Sequence, residues 1–127
     1  MKIALVLAAA LLAPAAAFAA PPAGPANNAC FRTRDIAAHR KGDDHTLYLK
    51  VGLKDFYRVT TKSSCLRGMM RSDALVIDGT PSGLVCTPVE FDLGVRQSGG
   101  FVTPCIVETI TRLTPAQAAA LPKNVRP

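Results

Sequence analysis

Hydrophobic and polar residues alternate most regularly in Thr46-Leu47-Tyr48-Leu49-Lys50-Val51, where Leu47, Leu49 and Val51 fall on one face and Tyr48 and Lys50 on the other. Gly52 to Asp55 makes a short connection. Phe56-Tyr57-Arg58-Val59-Thr60-Thr61 then returns with Tyr57 and Val59 on the buried side. Two alternating arms across a short turn predict a β-hairpin. A second alternation sets Val89, Phe91, Leu93 and Val95 against Glu90, Asp92 and Gly94, and Gln97 to Gly100 turns the chain after it. Cys105 to Leu113 is dense in β-branched residues, which are stiff and fit a pleated surface, so it predicts one strand. Ile106, Glu108, Ile110 and Arg112 would share one face, and Cys105, Val107, Thr109, Thr111 and Leu113 the other. Thr114-Pro115-Ala116-Gln117 reads as a capping box with proline at the first helical position. It predicts a helix from Pro115 to Leu121, which Pro122 ends.

The remaining stretches are shorter. Cys30 to Ile36 alternates weakly and suits a first strand, while Ala37 to Asp44 is polar and predicts irregular chain with a helical turn near Ile36 to Arg40. Lys62 to Ser72 predicts a loop over Leu66, Met69 and Met70, with methionine filling gaps beneath it. Ala74 to Ile77 suits a strand, Asp78 to Gly83 a turn, and Leu84 to Cys86 another strand that Pro88 interrupts. Short strands with turn signals about every ten residues predict an all-β fold. It is a small barrel or sandwich of about six to eight short strands, ending in one short C-terminal helix.

The amino terminus follows a different pattern. Lys2, the apolar run Ile3 to Leu12, Pro14 and the small-x-small triplet Ala17-Phe18-Ala19 predict a cleavable signal peptide over 1–19, cut between Ala19 and Ala20. The apolar run is too short to span a bilayer comfortably, and no second one follows it, so no transmembrane segment is expected in the mature chain. Residues 20–29, rich in proline and alanine, read as a linker. A single domain is expected over 30–122, with 123–127 as a tail. This organisation implies export to the periplasm, or secretion as the alternative.

Export changes the meaning of the four cysteines. An even number in an oxidising compartment predicts two disulfides, and no C-x-x-C spacing supports a zinc or redox motif. If Val95 pairs near Phe101, Cys105 lies opposite Phe91, and Cys86 is about 17 Å further along the strand. That exceeds the roughly 7 Å between Cα atoms that a disulfide spans. Two connectivities survive. The preferred one is Cys65–Cys86, which brackets the Ala74–Ile77 strand, with Cys30–Cys105. The alternative is Cys30–Cys86 with Cys65–Cys105.

Without Lys2, 14 basic side chains meet nine acidic ones, a net charge of +5. The excess lies in the first half. Cys30 to Arg71 carries ten basic and four acidic residues, against four and five from Ser72 onward. Arg32, Arg34, Lys50, Lys54 and Arg58 would form an anion-binding face if the first strand neighbours the Tyr48 hairpin. Few aromatics interleave with them and an exported protein rarely meets nucleic acid, so no nucleic-acid partner is expected; the partner is unknown, with an envelope protein or an anionic surface as candidates. His39, Asp43, Asp44 and His45 are the densest run of metal-ligating side chains, although the same run also reads as a solvated turn. His39 and His45 are the only imidazole bases. None of Ser63, Ser64, Ser72, Ser82 and Ser98 sits in a G-x-S-x-G elbow, so no catalytic constellation is recognisable and no cofactor is implied.

A resemblance accompanies these residues. Cys30-Phe31-Arg32 through Asp35-Ile36, the Asp44 to Gly52 strand with Tyr48, Tyr57-Arg58-Val59, the later cysteines and the ending Ile110-Thr111-Arg112-Leu113-Thr114-Pro115 resemble an uncharacterised family of short exported, mostly proteobacterial proteins, a domain of unknown function. The resemblance covers Cys30 to Leu121. His39 replaces an aromatic, and Gln117 replaces the glutamate of the capping box. The family carries no activity and implies compartment and fold alone. The expected role is that of a small non-enzymatic envelope protein acting by binding or by structure, with an anion- or metal-binding periplasmic accessory as the alternative.

Overall fold

The computed structural model describes residues 30–79 and 81–127. The expected signal peptide with its Ala19–Ala20 cleavage site, and the 20–29 linker, lie outside them. Nine strands are present among the described residues: β1 Phe31–Arg32, β2 Ile36–Lys41, β3 Thr46–Val51, β4 Asp55–Thr61, β5 Ala74–Gly79, β6 Leu84–Val85, β7 Phe91–Arg96, β8 Val102–Cys105 and β9 Val107–Arg112. One helix, α1 Pro115–Ala120, follows them. The strands form a four-stranded sheet, β2-β3-β4-β9, a three-stranded sheet, β5-β7-β8, and the two-stranded β1-β6. Every pairing is antiparallel.

The expected hairpin is β3–β4. Leu47 pairs with Val59 and Leu49 with Tyr57, and all four side chains are buried. They meet Leu93 and Val95 of β7 and Leu66 and Met69 of the 62–72 loop in one core, so the two larger sheets face one another. Phe31 of β1 closes one end, its ring centroid 4.9 Å from that of Tyr57 and 5.5 Å from that of Phe91. Thr114 accepts a hydrogen bond from the Gln117 amide at 3.2 Å, and the Gln117 side-chain oxygen accepts one from the Thr114 amide at 2.9 Å, which is the predicted capping box.

Five local expectations need correction. Cys30 to Ile36 is not one strand: β1 ends at Arg32, and the 3-10 turn Thr33–Asp35 follows it. Ala37 to Asp44 is not irregular with a helical turn; Ile36–Lys41 is the edge strand β2. A bulge between Ile36 and Ala38 breaks its alternation, and His39 and Lys41 occupy core-side register positions opposite Leu49 and Leu47. Inward polar residues of this kind protect an edge strand from unwanted pairing. The run from Cys105 to Leu113 is two strands that break at Ile106. A second bulge, where Thr60 pairs with Thr109 but Thr61 with Val107, puts both Val107 and Ile110 in the core. Val89 is not a strand residue. It stands exposed in the 3-10 turn Pro88–Glu90, which Thr87 and Glu90 cap. Met70 is exposed rather than tucked under its loop, whereas Leu66 and Met69 are buried.

The disulfides are Cys30–Cys86 and Cys65–Cys105, so the preferred pairing of Cys65–Cys86 with Cys30–Cys105 is overturned. Backbone register is the reason. β1 pairs with β6 as Phe31↔Val85 and Arg32↔Leu84, and one more step sets Cys30 opposite Cys86, 4.1 Å apart at Cα. The 62–72 loop hangs instead beside the β8–β9 corner, where the Lys62 amide donates to the Ile106 carbonyl at 2.9 Å, and Cys65 reaches Cys105 there. β7 and β8 pair as Leu93↔Cys105, two residues from the expected register, and Cys86 remains too far along the chain to join Cys105.

Candidate functional site

The basic residues expected on one face are divided. β1 belongs with β6, and Phe31 packs on the core side of Tyr57, so Arg32 and Arg34 lie away from the outer face of the four-stranded sheet. Arg34 stands 3.8 Å from Asp35. Lys50 and Arg58 do share that outer face: Tyr48 pairs with Arg58 and Lys50 with Phe56. Lys54 is exposed in the β3–β4 turn, beside Pro115 and Ala118 of the helix. Register adds a residue that the charge count alone does not single out. Arg40 pairs with Tyr48, so a row Arg40–Tyr48–Arg58 crosses three strands.

Each of the four metal candidates has a partner within the protein. His39 lies 3.1 Å through Nε2 from the Asp73 carbonyl. Asp43 accepts from the His45 amide at 2.8 Å and from the Thr46 hydroxyl at 3.1 Å, which closes the β2–β3 turn. The amide bond holds the Asp43 carboxyl below the usual aspartate range. Asp44 bridges Lys41 at 2.8 Å and Arg67 at 3.4 Å, and the Lys41 contact depresses its carboxyl in the same way. Among the described residues no group of three or more His, Cys, Asp and Glu side chains converges on a point where a metal ion would sit.

His45 lies 3.0 Å through Nδ1 from the Thr61 carbonyl and 3.2 Å through Nε2 from the Ser64 hydroxyl. With the proton on Nδ1, this is the geometry of a base beside a hydroxyl nucleophile. His45 is exposed, however, and neither residue lines any of the clefts described below.

One concavity, of about 220 Å³, collects charge of a single sign. The end of β2 supplies His39, Arg40, Lys41 and Gly42; the 62–72 loop supplies Met69, Met70 and Arg71; the tail supplies Asn124 and Val125. Three of these nine residues are cationic and none carries a carboxylate. The loop is fixed by a tight turn in which the Asp73 carboxylate accepts from the Met70 amide at 2.9 Å and the Asp73 amide donates to the Met70 carbonyl at 3.2 Å. The tail is fixed by Arg71, which donates to the Asn124 carbonyl at 3.4 Å, and by Arg126, which donates to the Ala119 and Leu121 carbonyls. Lys41 is partly neutralised by Asp44. Arg40 donates to the His39 carbonyl at 2.9 Å, which leaves most of its five N–H groups free, as for Arg71. Gly42 lets the Tyr48 ring close in beside this wall, because a Cβ there would stand 2.8 Å from Tyr48 Cε2.

The other clefts differ in character. One of about 510 Å³ beside α1 holds Lys54 and Arg112, but Asp55 lies in it and pairs with Arg112 at 2.6 Å. One of about 240 Å³ holds Lys54 and Arg126, whose guanidinium is occupied by helix carbonyls. One of about 640 Å³ runs along β9 beside the Cys30–Cys86 bridge, and Glu108 is its one charged residue. Composition alone could not single out the cleft at Arg40, since it needs β2, the 62–72 loop and the tail to meet. The charge asymmetry of the first half is the signal that anticipates it.

No curated protein and no solved structure matches the chain. Over residues 1–127 it matches the family described as "Family of unknown function (DUF6491)", and the chain belongs to that family.

Proposed function

We propose that this is an exported, non-enzymatic envelope protein that binds a small anion, or the anionic group of a larger molecule, in the cleft formed by Arg40, Lys41 and Arg71. Support for export comes from the pattern of residues 1–19, from two disulfides and from the resemblance to exported, mostly proteobacterial proteins. The observation that carries the binding reading is that Arg40 and Arg71, neither of which has a carboxylate ion-pair partner among the described residues, line one concavity that has no carboxylate among its lining residues. Guanidinium groups match phosphate and carboxylate oxygens in pairs, and charge-assisted hydrogen bonds are the strong ones. A flat surface of mixed charge would instead have favoured a purely structural role.

The test is calorimetric titration of inorganic phosphate and of citrate into the protein, repeated with Arg40→Ala and Arg71→Ala. Each arginine removed weakens binding about tenfold or more, and added salt weakens it further. Absence of heat with both probes, or an affinity unchanged in both variants, overturns the reading.

A second reading rests on His39, Met69 and Met70, which line the same cleft. Imidazole and thioether are ligands for cuprous ion. Three neighbouring cations oppose it. Tight cuprous binding that is lost in His39→Ala and kept in Arg40→Ala would favour this reading over the anion.

A further inference from the structure

The outer face of the three-stranded sheet has an order that its own chain does not use. Three rows cross it. Asp78 pairs with Asp92 at one end, Val76 with Gly94 and Gly94 with Pro104 in the middle, and Ala74 with Arg96 and Arg96 with Val102 at the other end. Asp78, Asp92, Arg96, Val102 and Pro104 are exposed. None of Asp78, Asp92 and Arg96 has an ion-pair partner among the described residues. Two carboxylates directly opposite one another on neighbouring strands are unfavourable. Gly94 leaves the centre of the face shallow, and Val102 leans over it, since a Cβ on Gly94 would meet Val102 Cγ1 at 2.8 Å. Val102 and Ile106, two of the large exposed apolar side chains, stand on the β8 side of the face.

We propose that this face is the interface with a second copy of the same chain. The charge pattern is self-complementary. Asp92 and Arg96 are four residues apart on β7, or about 13 Å. A two-fold axis lying along the middle row turns β7 end for end. It sets Arg96 of each copy over the Asp78–Asp92 pair of the other, and the apolar middle rows over one another. Such an interface is isologous: the same patch serves both copies and closes at two. The facing arginine offsets the carboxylate repulsion that an isolated chain leaves unrelieved. The anion cleft lies elsewhere, at β2 and the tail, so this inference stands independently of the proposed function.

Sedimentation velocity of the purified protein across a concentration series is the test, with Arg96→Asp and Asp92→Arg as variants. The wild-type chain sediments at twice its chain mass at high concentration. Each variant alone, which sets like charges against like, sediments as a single chain. An equimolar mixture of the two regains the doubled mass. On one side of the axis the carboxylate introduced by Arg96→Asp then faces the guanidinium introduced by Asp92→Arg, and on the other side the remaining native arginine faces the remaining native aspartate. Recovery in the mixture also shows that neither variant has lost its fold. A wild-type protein that stays single at millimolar concentration, as it would if another partner used this face, overturns the proposal. A dimer that survives both single reversals overturns it as well.

Discussion

Gly42→Ala tests how tightly the wall of the anion cleft is packed. Gly42 lies between β2 and β3, and its backbone is outside the left-handed region, so alanine is compatible with the main chain. On that ground alone the substitution would stabilise by about 0.4–1 kcal/mol, through a less flexible unfolded chain. The added methyl, however, would stand 2.8 Å from Tyr48 Cε2 and 3.4 Å from Thr46 Cβ and Cγ2. Ordinary carbon contacts lie near 3.5–4.0 Å, so the Tyr48 ring has to move by about 1 Å. Overpacking of this kind costs about 1–3 kcal/mol. The balance is a loss of about 1 kcal/mol, or a fall in Tm of about 4–8 °C for a domain of this size. Thermal unfolding followed by circular dichroism measures it. A double-mutant cycle isolates the cause: once Tyr48→Ala has removed the ring, Gly42→Ala becomes stabilising by about 0.5 kcal/mol. If Gly42→Ala has the same effect with and without the Tyr48 ring, the clash is not what glycine avoids, and the reasoning fails.

Two further outcomes follow from the bridges and the carboxylates. Cys65–Cys105 closes a loop of 40 residues and Cys30–Cys86 one of 56, so removing either pair by double alanine substitution costs about 4 kcal/mol in urea unfolding; a non-reduced peptide map that joins Cys65 to Cys86 would refute the connectivity. Glu90 accepts from the Cys86 and Thr87 amides at 2.8 Å each, which holds its carboxyl below its ordinary value of 4.5. A carboxyl depressed in the folded state contributes stability that is fully present above its ordinary value and is lost as pH falls from there through its lower folded-state value, so Tm declines on acidification and declines less in Glu90→Gln; an identical acid limb in both proteins would contradict this.

The sequence announced whatever is local. Thr114, Pro115 and Gln117 define α1 within four residues, and the β3–β4 hairpin follows from one unbroken alternation on each side of a short turn. Where a bulge inserts a residue, alternation misleads: β2 is hidden by the bulge after Ile36 and by His39 and Lys41 on its core side, and the β-branched run through Ile106 hides the break between β8 and β9. The Thr87–Glu90 box was present in the sequence but was masked by the apparent alternation of Val89 with Phe91. Disulfide pairing depends on which strands meet. β1 with β6 is a contact between distant segments that no periodicity encodes. The cleft has the same difficulty, since Arg40, Arg71 and Asn124 are brought together only by the tertiary fold.

The bridges interleave, first cysteine to third and second to fourth, and this matters for the order in which the chain is made. Synthesis releases Cys30 and then Cys65 well before either native partner exists, so an early oxidant would join those two and leave Cys86 to pair with Cys105. Both of those bonds are wrong, and because they use all four cysteines, a thiolate from outside the chain has to attack first, forming a mixed disulfide and freeing one cysteine to exchange onward before β1 can reach β6. For a chain oxidised as it emerges, this interleaved connectivity makes the exchange of mistaken pairs, rather than the speed of oxidation, the step that decides whether the native bridges form.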